Sequence, residues 1–235
     1  MPRSSFIRAG GLLAAFAIGG LPASAAQTKP IPAATAAETS VPAAAAGATA
    51  VATAAATVEG FRSARFGMDE AAVRAAIVKD FGVKPEAILP GENMAERTKM
   101  LSVRVPGVLE GGGMAEVSYV FGHKSTKLAQ VSVLWSPAID PAVDQAKLLA
   151  NANVLQSYFL SSGYKADSVV TSAVVPEGLL MFRGSDAASR MTVLLLRGQM
   201  TQGGTQPVLT PVSLLLAYLA DPAKPDVFTV PAGQF

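Results

Sequence analysis

The chain has 235 residues, of which half are hydrophobic, with 19 basic side chains, 17 acidic side chains, one histidine and no cysteine. The absence of cysteine excludes disulfides, thiol nucleophiles and thiolate metal sites, and a single histidine excludes HExxH sites. Arg3 and Arg8 account for the positive excess, so the rest of the chain carries 17 charges of each sign and predicts no nucleic-acid partner.

Residues 1–26 have the pattern of a secretory signal peptide. Two arginines precede the apolar run of residues 12–21, and small residues then lead to predicted cleavage after Ala25 or Ala26. The alternative is a membrane anchor, but the run is shorter than the roughly 20 apolar residues that span a bilayer. We therefore predict a periplasmic or secreted bacterial protein without stable membrane insertion.

Residues 27–57 consist almost entirely of Ala, Thr, Pro and Val, and Lys29 and Glu38 are their only charges. Prolines interrupt any helical turn that alanine would favour, and large apolar side chains that could offset the entropy of ordering are missing. The segment is predicted to be a disordered tether, with a surface helix as the alternative. The folded part is expected to start near Val58.

The stretch F-G-M-D-E-A-A-V-R-A-A-I, residues 66–77, predicts the start of a first helix. Asp69 can accept hydrogen bonds from the amides of the first turn, and Glu70 places negative charge at the positive end of the helix dipole. Val73 and Ile77 recur at helical spacing, and Gly82 provides a stop. These residues describe a well-capped amphipathic helix.

A three-stranded antiparallel meander is predicted after this helix. A loop marked by Pro85, Pro90 and Gly91 comes first, and strand-like alternation then follows in three segments. They are residues 101–105, 115–121 and 129–135, with a polar turn at residues 122–126. The helix and the meander define a first unit, residues 58–138.

The second part of the chain, residues 139–235, repeats this order. Asp140 as a cap and Pro141 as first helical residue predict a helix start, and Gly163 predicts its end. The apolar stripe of the helix consists of Leu148, Ala152, Leu155 and Phe159. The strand candidates that follow are residues 168–175, 178–183, 190–197 and 208–219.

The two parts also resemble each other locally. Residues 121–134 and residues 182–196 both read as a strand ending in or near Phe, a polar turn, and a return strand rich in Val and Leu. We therefore predict an α+β fold of tandem α-β-β-β units, with antiparallel sheets that are each covered by a helix.

The F-G-M-x-x-x-x-V start at residues 66–73, followed by a meander in a secreted chain, resembles the BamE-like (SmpA/OmlA) envelope module. A tandem copy of such a unit is similar to the secreted β-lactamase inhibitory proteins. The resemblance covers mainly residues 66–77 and the element order through Leu219. The chain lacks the lipid-attachment cysteine of the lipoproteins and the disulfides of the inhibitors.

No catalytic signature accompanies the titratable residues. His123 is expected to be a solvated turn residue, and we predict no metal site and no cofactor. Carboxylates could still act in acid-base chemistry, but the candidates have no distinguishing neighbours and are interpreted mainly as surface charges. They are Glu110, Glu116, Asp144 and Asp186.

The sequence favours a non-enzymatic protein-binding module that recognises another envelope or secreted protein through an exposed sheet face. The predicted contact residues are Tyr119, Trp135, Arg183 and Arg190. Arginines amid apolar strands, which include Arg197, are either recognition anchors or guards of an edge strand, and both interpretations stay open. The alternatives are a small-ligand binder or a carboxylate-dependent hydrolase with a cleft between the units.

Overall fold

The computed structural model describes residues 54–203, 206–230 and 233, which form two helices and ten antiparallel strands. In chain order these are β1 (Gly60–Phe61), β2 (Ala64–Arg65), α1 (Glu70–Phe81), β3 (Leu89–Asn93), β4 (Thr98–Val105), β5 (Ala115–Phe121), β6 (Leu128–Trp135), α2 (Gln145–Leu160), β7 (Val170–Val175), β8 (Gly178–Ser185), β9 (Met191–Gly203) and β10 (Gln206–Leu219). The α+β class is confirmed, although strands predominate. Neither of the described helices is long and apolar enough to cross a bilayer.

The predicted signal peptide and the predicted tether as far as residue 53 lie outside the described residues. The last residues assigned to the tether are docked, because the amide of Ala56 donates to the carbonyl of Gly163 at 2.9 Å. Folded structure therefore begins before the predicted boundary at Val58.

Helix α1 begins and ends where the sequence predicts. The carboxylate of Asp69 accepts a hydrogen bond from the amide of Ala72 at 2.9 Å. Gly82 has the left-handed conformation (φ 63°) that glycine adopts without steric cost, and its amide donates to the carbonyl of Val78. Val73 and Ile77 are buried, so the predicted apolar stripe faces the core.

Helix α2 begins four residues later than predicted. Its N-cap is Asp144, whose carboxylate accepts from the amide of Lys147 at 2.8 Å. Asp140 instead accepts from the amides of Met114 and Ala142, which holds a loop in place and lowers the pKa of its carboxyl group. The prediction that Asp140 and Pro141 start the helix is therefore wrong, because Asp140 closes a turn in the loop before the helix.

Eight strands form one sheet in the order β3-β4-β5-β6-β10-β9-β8-β7, and the remaining two form a small β1–β2 hairpin. Each half of the chain thus contributes a helix followed by four consecutive strands, and the predicted three-stranded meander is wrong. The missed strand, β3, contains Pro90 and Gly91 and is largely exposed. Such an edge strand lacks the apolar alternation that sequence reasoning requires.

The two halves meet where β6 pairs with β10, with Trp135 opposite Leu214 and Val131 opposite Tyr218. Counted outward from this junction, β5 has the same place as β9 and β4 has the same place as β8. The local similarity seen in the sequence aligns β5 with β8, so it is displaced by one strand from this symmetric order.

One face of the sheet forms the main hydrophobic core with both helices. Val73 and Ile77 of α1, and Leu148 and Phe159 of α2, belong to the same buried cluster as alternate residues of the strands. Those strand residues include Val117, Val133, Leu196, Leu214 and Leu216. Because side chains alternate along a strand, the intervening residues form the opposite face, which we call the open face.

Candidate functional site

The open face changes in character across the β6–β10 junction. One row of cross-strand neighbours, from β4 to β8, reads Ser102, Ser118, Ser132, Ala217, Val193 and Arg183. The adjacent row reads Arg104, Glu116, Leu134, Leu215, Leu195 and Leu180. The first half of the open face is therefore polar, and the second half is apolar with an arginine.

A small hydrophobic cluster occupies this second half. Leu180, Val193 and Ala217 are buried against each other, and Met191 and Leu219 pack beside them. Burial of such side chains stabilises the sheet by shielding apolar area from water. The cluster is separate from the core beneath the helices, which makes the second half of the open face the candidate interaction surface.

Arg183 and Arg197 are the charged residues of this surface. Arg183 lies opposite Val193, and Arg197 lies opposite Ser213. Arg197 lies four positions after Val193 in β9, so the two arginine side chains start about 13 Å apart along the strands, on either side of Leu195. Both are half-buried, and within the described part of the chain no carboxylate oxygen lies within 4 Å of either guanidinium.

The position of these arginines in the sheet decides between the two interpretations of their role as guards or anchors. Strand β8 is flanked by β7 and β9, and β9 is flanked by β8 and β10, so neither is an edge strand. A charge that blocks edge-to-edge association belongs on an edge strand. The edge-guard interpretation is therefore wrong for Arg183 and Arg197.

Tyr119 and Trp135 do not lie on the open face. Both are fully buried in the main core, at 0 % exposure, because their positions in β5 and β6 alternate with the polar residues. Among the described residues, the tyrosine hydroxyl and the indole Nε1 have no hydrogen-bond partner. Burial, with a smaller contribution from Asp80, raises the pKa of Tyr119. The expectation that these rings are exposed is wrong, and Trp135→Ala would instead cost about 3–5 kcal/mol of core stability.

Arg190 is engaged in a turn and does not extend the open surface. Its Nε donates to the carboxylate of Asp186 at 2.9 Å, and its amide donates to the same carboxylate. The turn connects β8 with β9, and Asp186 is only 2 % exposed. Arg190 is thus placed to balance a buried charge, a role that the sequence spacing did not reveal.

Asp186 also fastens the beginning of the folded chain. Its Oδ2 accepts a hydrogen bond from the amide of Val58 at 2.9 Å, across 128 residues of sequence. Burial by itself would raise the pKa of Asp186, but the hydrogen bonds from Val58 and Arg190 and the charge of Arg190 outweigh burial and lower it. The carboxylate is therefore ionised in the folded protein at neutral pH, contrary to its interpretation as a surface charge.

The segment that Asp186 fastens forms one wall of a cavity of about 590 Å³. The cavity is also bounded by the β1–β2 hairpin, the end of α2 and β10, and aromatic rings make up much of its lining. Its side chains include Phe61, Arg62, Tyr158, Phe159, Tyr164 and Tyr218. Sequence reasoning missed this site because its residues come from three separate segments that share no motif.

His123 and Glu116 have structural partners, whereas Glu110 is exposed. His123 lies in the predicted turn, but its ring is half-buried, with Nδ1 3.1 Å from the carbonyl of Arg97 and an edge contact to Phe228. Glu116 pairs with Arg104 at 3.0 Å. Within the described residues, no group of three or more His, Asp or Glu side chains is placed to hold a metal ion.

Compared with protein families, curated proteins and solved structures, the chain matches none of them.

Proposed function

We propose that this chain is a non-enzymatic protein-binding module of a bacterial envelope, periplasmic or secreted, that binds its partner through the second half of the open face. The observation that carries the proposal is the presence of Arg183 and Arg197 on interior strands, around an apolar cluster, without a carboxylate partner among the described residues. The partner is another envelope or secreted protein that presents acidic and apolar side chains together.

The chemistry of this surface supports recognition of such a partner. Arginine is enriched among the residues that dominate binding energy at protein interfaces, and its effect is largest where the surrounding surface excludes water. Leu195 lies between the two arginines along β9 but is only 1 % exposed, and Leu215 beside it is half-buried. Opposite charges on the partner would speed association and fix its orientation.

A charge-reversal experiment tests the proposal. The double variant Arg183→Glu/Arg197→Glu and the native chain are immobilised, and proteins captured from envelope extract are identified and purified. We expect the native chain to bind an acidic partner with salt-sensitive affinity, and the double variant to bind at least about tenfold more weakly.

Arg104→Glu provides the matched control, because this arginine lies on the polar half of the same face and pairs with Glu116. It should reduce affinity for the purified partner much less than the double variant. Equal binding by the native chain and the folded double variant would refute the open face as the recognition surface.

Export of the protein is part of the proposal and rests on the leader sequence. The two arginines, the short apolar run and the small residues that precede Ala26 support cleavage by signal peptidase. N-terminal sequencing of the exported protein should give a chain that starts at residue 26 or 27. Retention of the full chain in the cytoplasm would contradict this assignment.

We further propose that residues 58–138 and 139–235 are copies of a duplicated unit. The same order of one helix and a strand meander in each half supports this idea. A permuted chain, in which residues 139–230 precede residues 54–138, should then regain the native far-ultraviolet spectrum. Failure of the permutant to fold would contradict self-contained units.

Small-ligand binding is a second candidate function, and the aromatic cavity is the observation that favours it. The cavity adjoins the β1–β2 hairpin of the first half and α2 and β10 of the second half, which is where a cleft between units was expected. The lining residues that the structure describes include no Asp or Glu, so they give no support to a carboxylate-dependent hydrolase.

A further inference from the structure

The aromatic cavity has walls that several specific contacts hold in place. The segment before β1 is fixed at two points, where Ala56 donates to Gly163 and Val58 donates to Asp186. Gly163 has a φ of 71°, and a Cβ at this position would overlap the carbonyl oxygen of Ala54. The close approach of these two backbone segments therefore depends on glycine, and the cavity is largely preformed.

Aromatic rings line the interior and the mouth. Phe61 stacks on Tyr218 with ring centroids 5.8 Å apart, and Phe159 meets Tyr218 edge-on at 6.5 Å. Tyr158 is 63 % exposed, and its ring meets that of Phe159 edge-on at 5.3 Å. Such surfaces favour flat, apolar ligands, because offset stacked and edge-on ring contacts add to the burial of apolar area.

Arg62 gives the cavity a positive charge. Two of its N–H groups donate to the carbonyls of Asp80 and Gly107, both at 3.2 Å, and its guanidinium carbon lies 4.6 Å from the centre of the Phe81 ring. These contacts orient the group but leave its other N–H donors uncommitted among the described residues. The described lining residues include no Asp or Glu, and the carboxylate of Asp80 accepts from the amide of Ser63, next to Arg62.

The backbone conformation of Arg62 also supports a functional role for this residue. Arg62 has a φ of 53° in the tight turn between β1 and β2, a conformation for which glycine or asparagine is preferred. A larger residue at such a position costs conformational energy, and such costs are concentrated at functional sites. Turn formation alone does not explain why arginine occupies this place.

We propose that this cavity binds a small aromatic carboxylate, with the ring between Phe61, Tyr158 and Tyr218 and the carboxylate facing Arg62. The volume of about 590 Å³ suits a ligand of one or two fused rings. The inference rests on the proposed small-ligand function of this cavity, and it is independent of the proposed protein-binding function of the open face.

A series of three matched probes tests the inference by saturation-transfer NMR and by titration of the full chain. The probes are 2-naphthoate, the neutral 2-naphthalenemethanol and the cationic 2-naphthylmethylamine. We expect 2-naphthoate to bind with a Kd below about 1 mM and about tenfold more tightly than the neutral alcohol. The amine should bind most weakly of the three.

Variants then assign the charge preference to Arg62. Arg62→Gln should bind the acid no more tightly than the alcohol, whereas Arg62→Lys should keep part of the preference even if the turn is destabilised. Tyr158→Ala should weaken both probes, and Arg65→Gln, an exposed control in the same hairpin, should change neither. Absence of binding by 2-naphthoate, equal affinity for all three probes, or an unchanged preference in folded Arg62→Gln would overturn the proposal.

Discussion

Two polar turns of the sheet have similar sequences, but one is closed by a distant aspartate and the other by an aspartate within the turn. The turn between β5 and β6 is closed by Asp226, whose carboxylate accepts from the amides of Lys124 and Ser125 at 2.9 Å about 100 residues away. The turn between β8 and β9 is closed by its own Asp186, which accepts from the amides of Ala188 and Arg190.

In both turns an aspartate carboxylate accepts hydrogen bonds from backbone amides, but the two aspartates connect different parts of the chain. Asp226 attaches the C-terminal segment to a turn that would otherwise lack a carboxylate acceptor. Asp186 completes its turn locally and uses its remaining capacity to bind Val58 at the start of the folded chain. Each aspartate therefore joins a chain terminus to the sheet, but only the second one is deeply buried.

The largest effect is expected from Asp186→Ala. This change removes four hydrogen bonds, leaves Arg190 without its partner and releases Val58, so the free energy of unfolding should fall by about 2–4 kcal/mol. Urea denaturation measures the loss. Asp167→Ala, at an exposed site nearby, is the control, and a loss from Asp186→Ala no larger than the control would remove Asp186 from its anchoring role.

The glycines that precede the turns offer a matched second comparison. A Cβ at Gly184 would press on the rings of Phe182 and Tyr164, so Gly184→Ala should destabilise the fold by about 1–3 kcal/mol. A Cβ at Gly122 would meet the carboxylate of Asp226 instead. Gly122→Ala should therefore loosen the C-terminal segment, seen as faster hydrogen exchange at Lys124 and Ser125, with a smaller loss of global stability.

Asp226→Ala should cost less than Asp186→Ala. The hydrogen bonds that it removes are solvent-accessible, so water can replace them, and we expect a loss of about 1 kcal/mol in denaturation experiments. Phe228 should detach from Arg97 and His123 at the same time, with a shift of the His123 ring resonances. Equal losses for the two aspartate variants would show that burial does not distinguish the turns.

Lowering the pH should cause the smallest loss of folding stability, and this loss should be gradual. In the folded protein, burial opposes ionisation of both aspartates, but the hydrogen bonds that they accept outweigh it and lower the pKa of each. The stability that ionisation contributes is present above an unfolded-state pKa of about 3.9 and is lost as pH falls through the folded-state pKa. Asp186→Asn should flatten the stability profile below about pH 4, and an unchanged slope would contradict its lowered pKa.

Local physical chemistry was sufficient to predict much of the secondary structure. The cap at Asp69, the stop at Gly82 and the alternation in β5 and β6 depend on interactions within a few residues, and the structure contains each of them. Edge strand β3 and the start of α2 were mispredicted because they depend on contacts with other segments of the chain. Pro90 argued against a strand, but β3 is an edge strand that pairs only with β4. The carboxylate of Asp140 accepts a hydrogen bond from the amide of Met114 and does not cap the helix.

The candidate sites were harder to predict, because a sequence pattern gives alternation but not which face is covered. Tyr119 and Trp135 alternate with polar residues in the manner of a half-exposed strand, and only the packing of both helices on one face shows that they are buried. Arg183 and Arg197 could not be identified as interior-strand residues before the strand order was known. The cavity near Arg62 depends on segments far apart in the chain.

By itself the sequence determined the α+β class, the caps of α1 and the exclusion of cysteine chemistry, since these follow from residue type and short-range hydrogen bonding. Only the tertiary structure decided that the halves join through β6 and β10, that Asp186 binds Val58, and which aromatic residues are buried. These features arise from contacts between distant segments, which are stabilised by packing and burial. Such contacts produce no periodic pattern in the sequence from which they could be predicted.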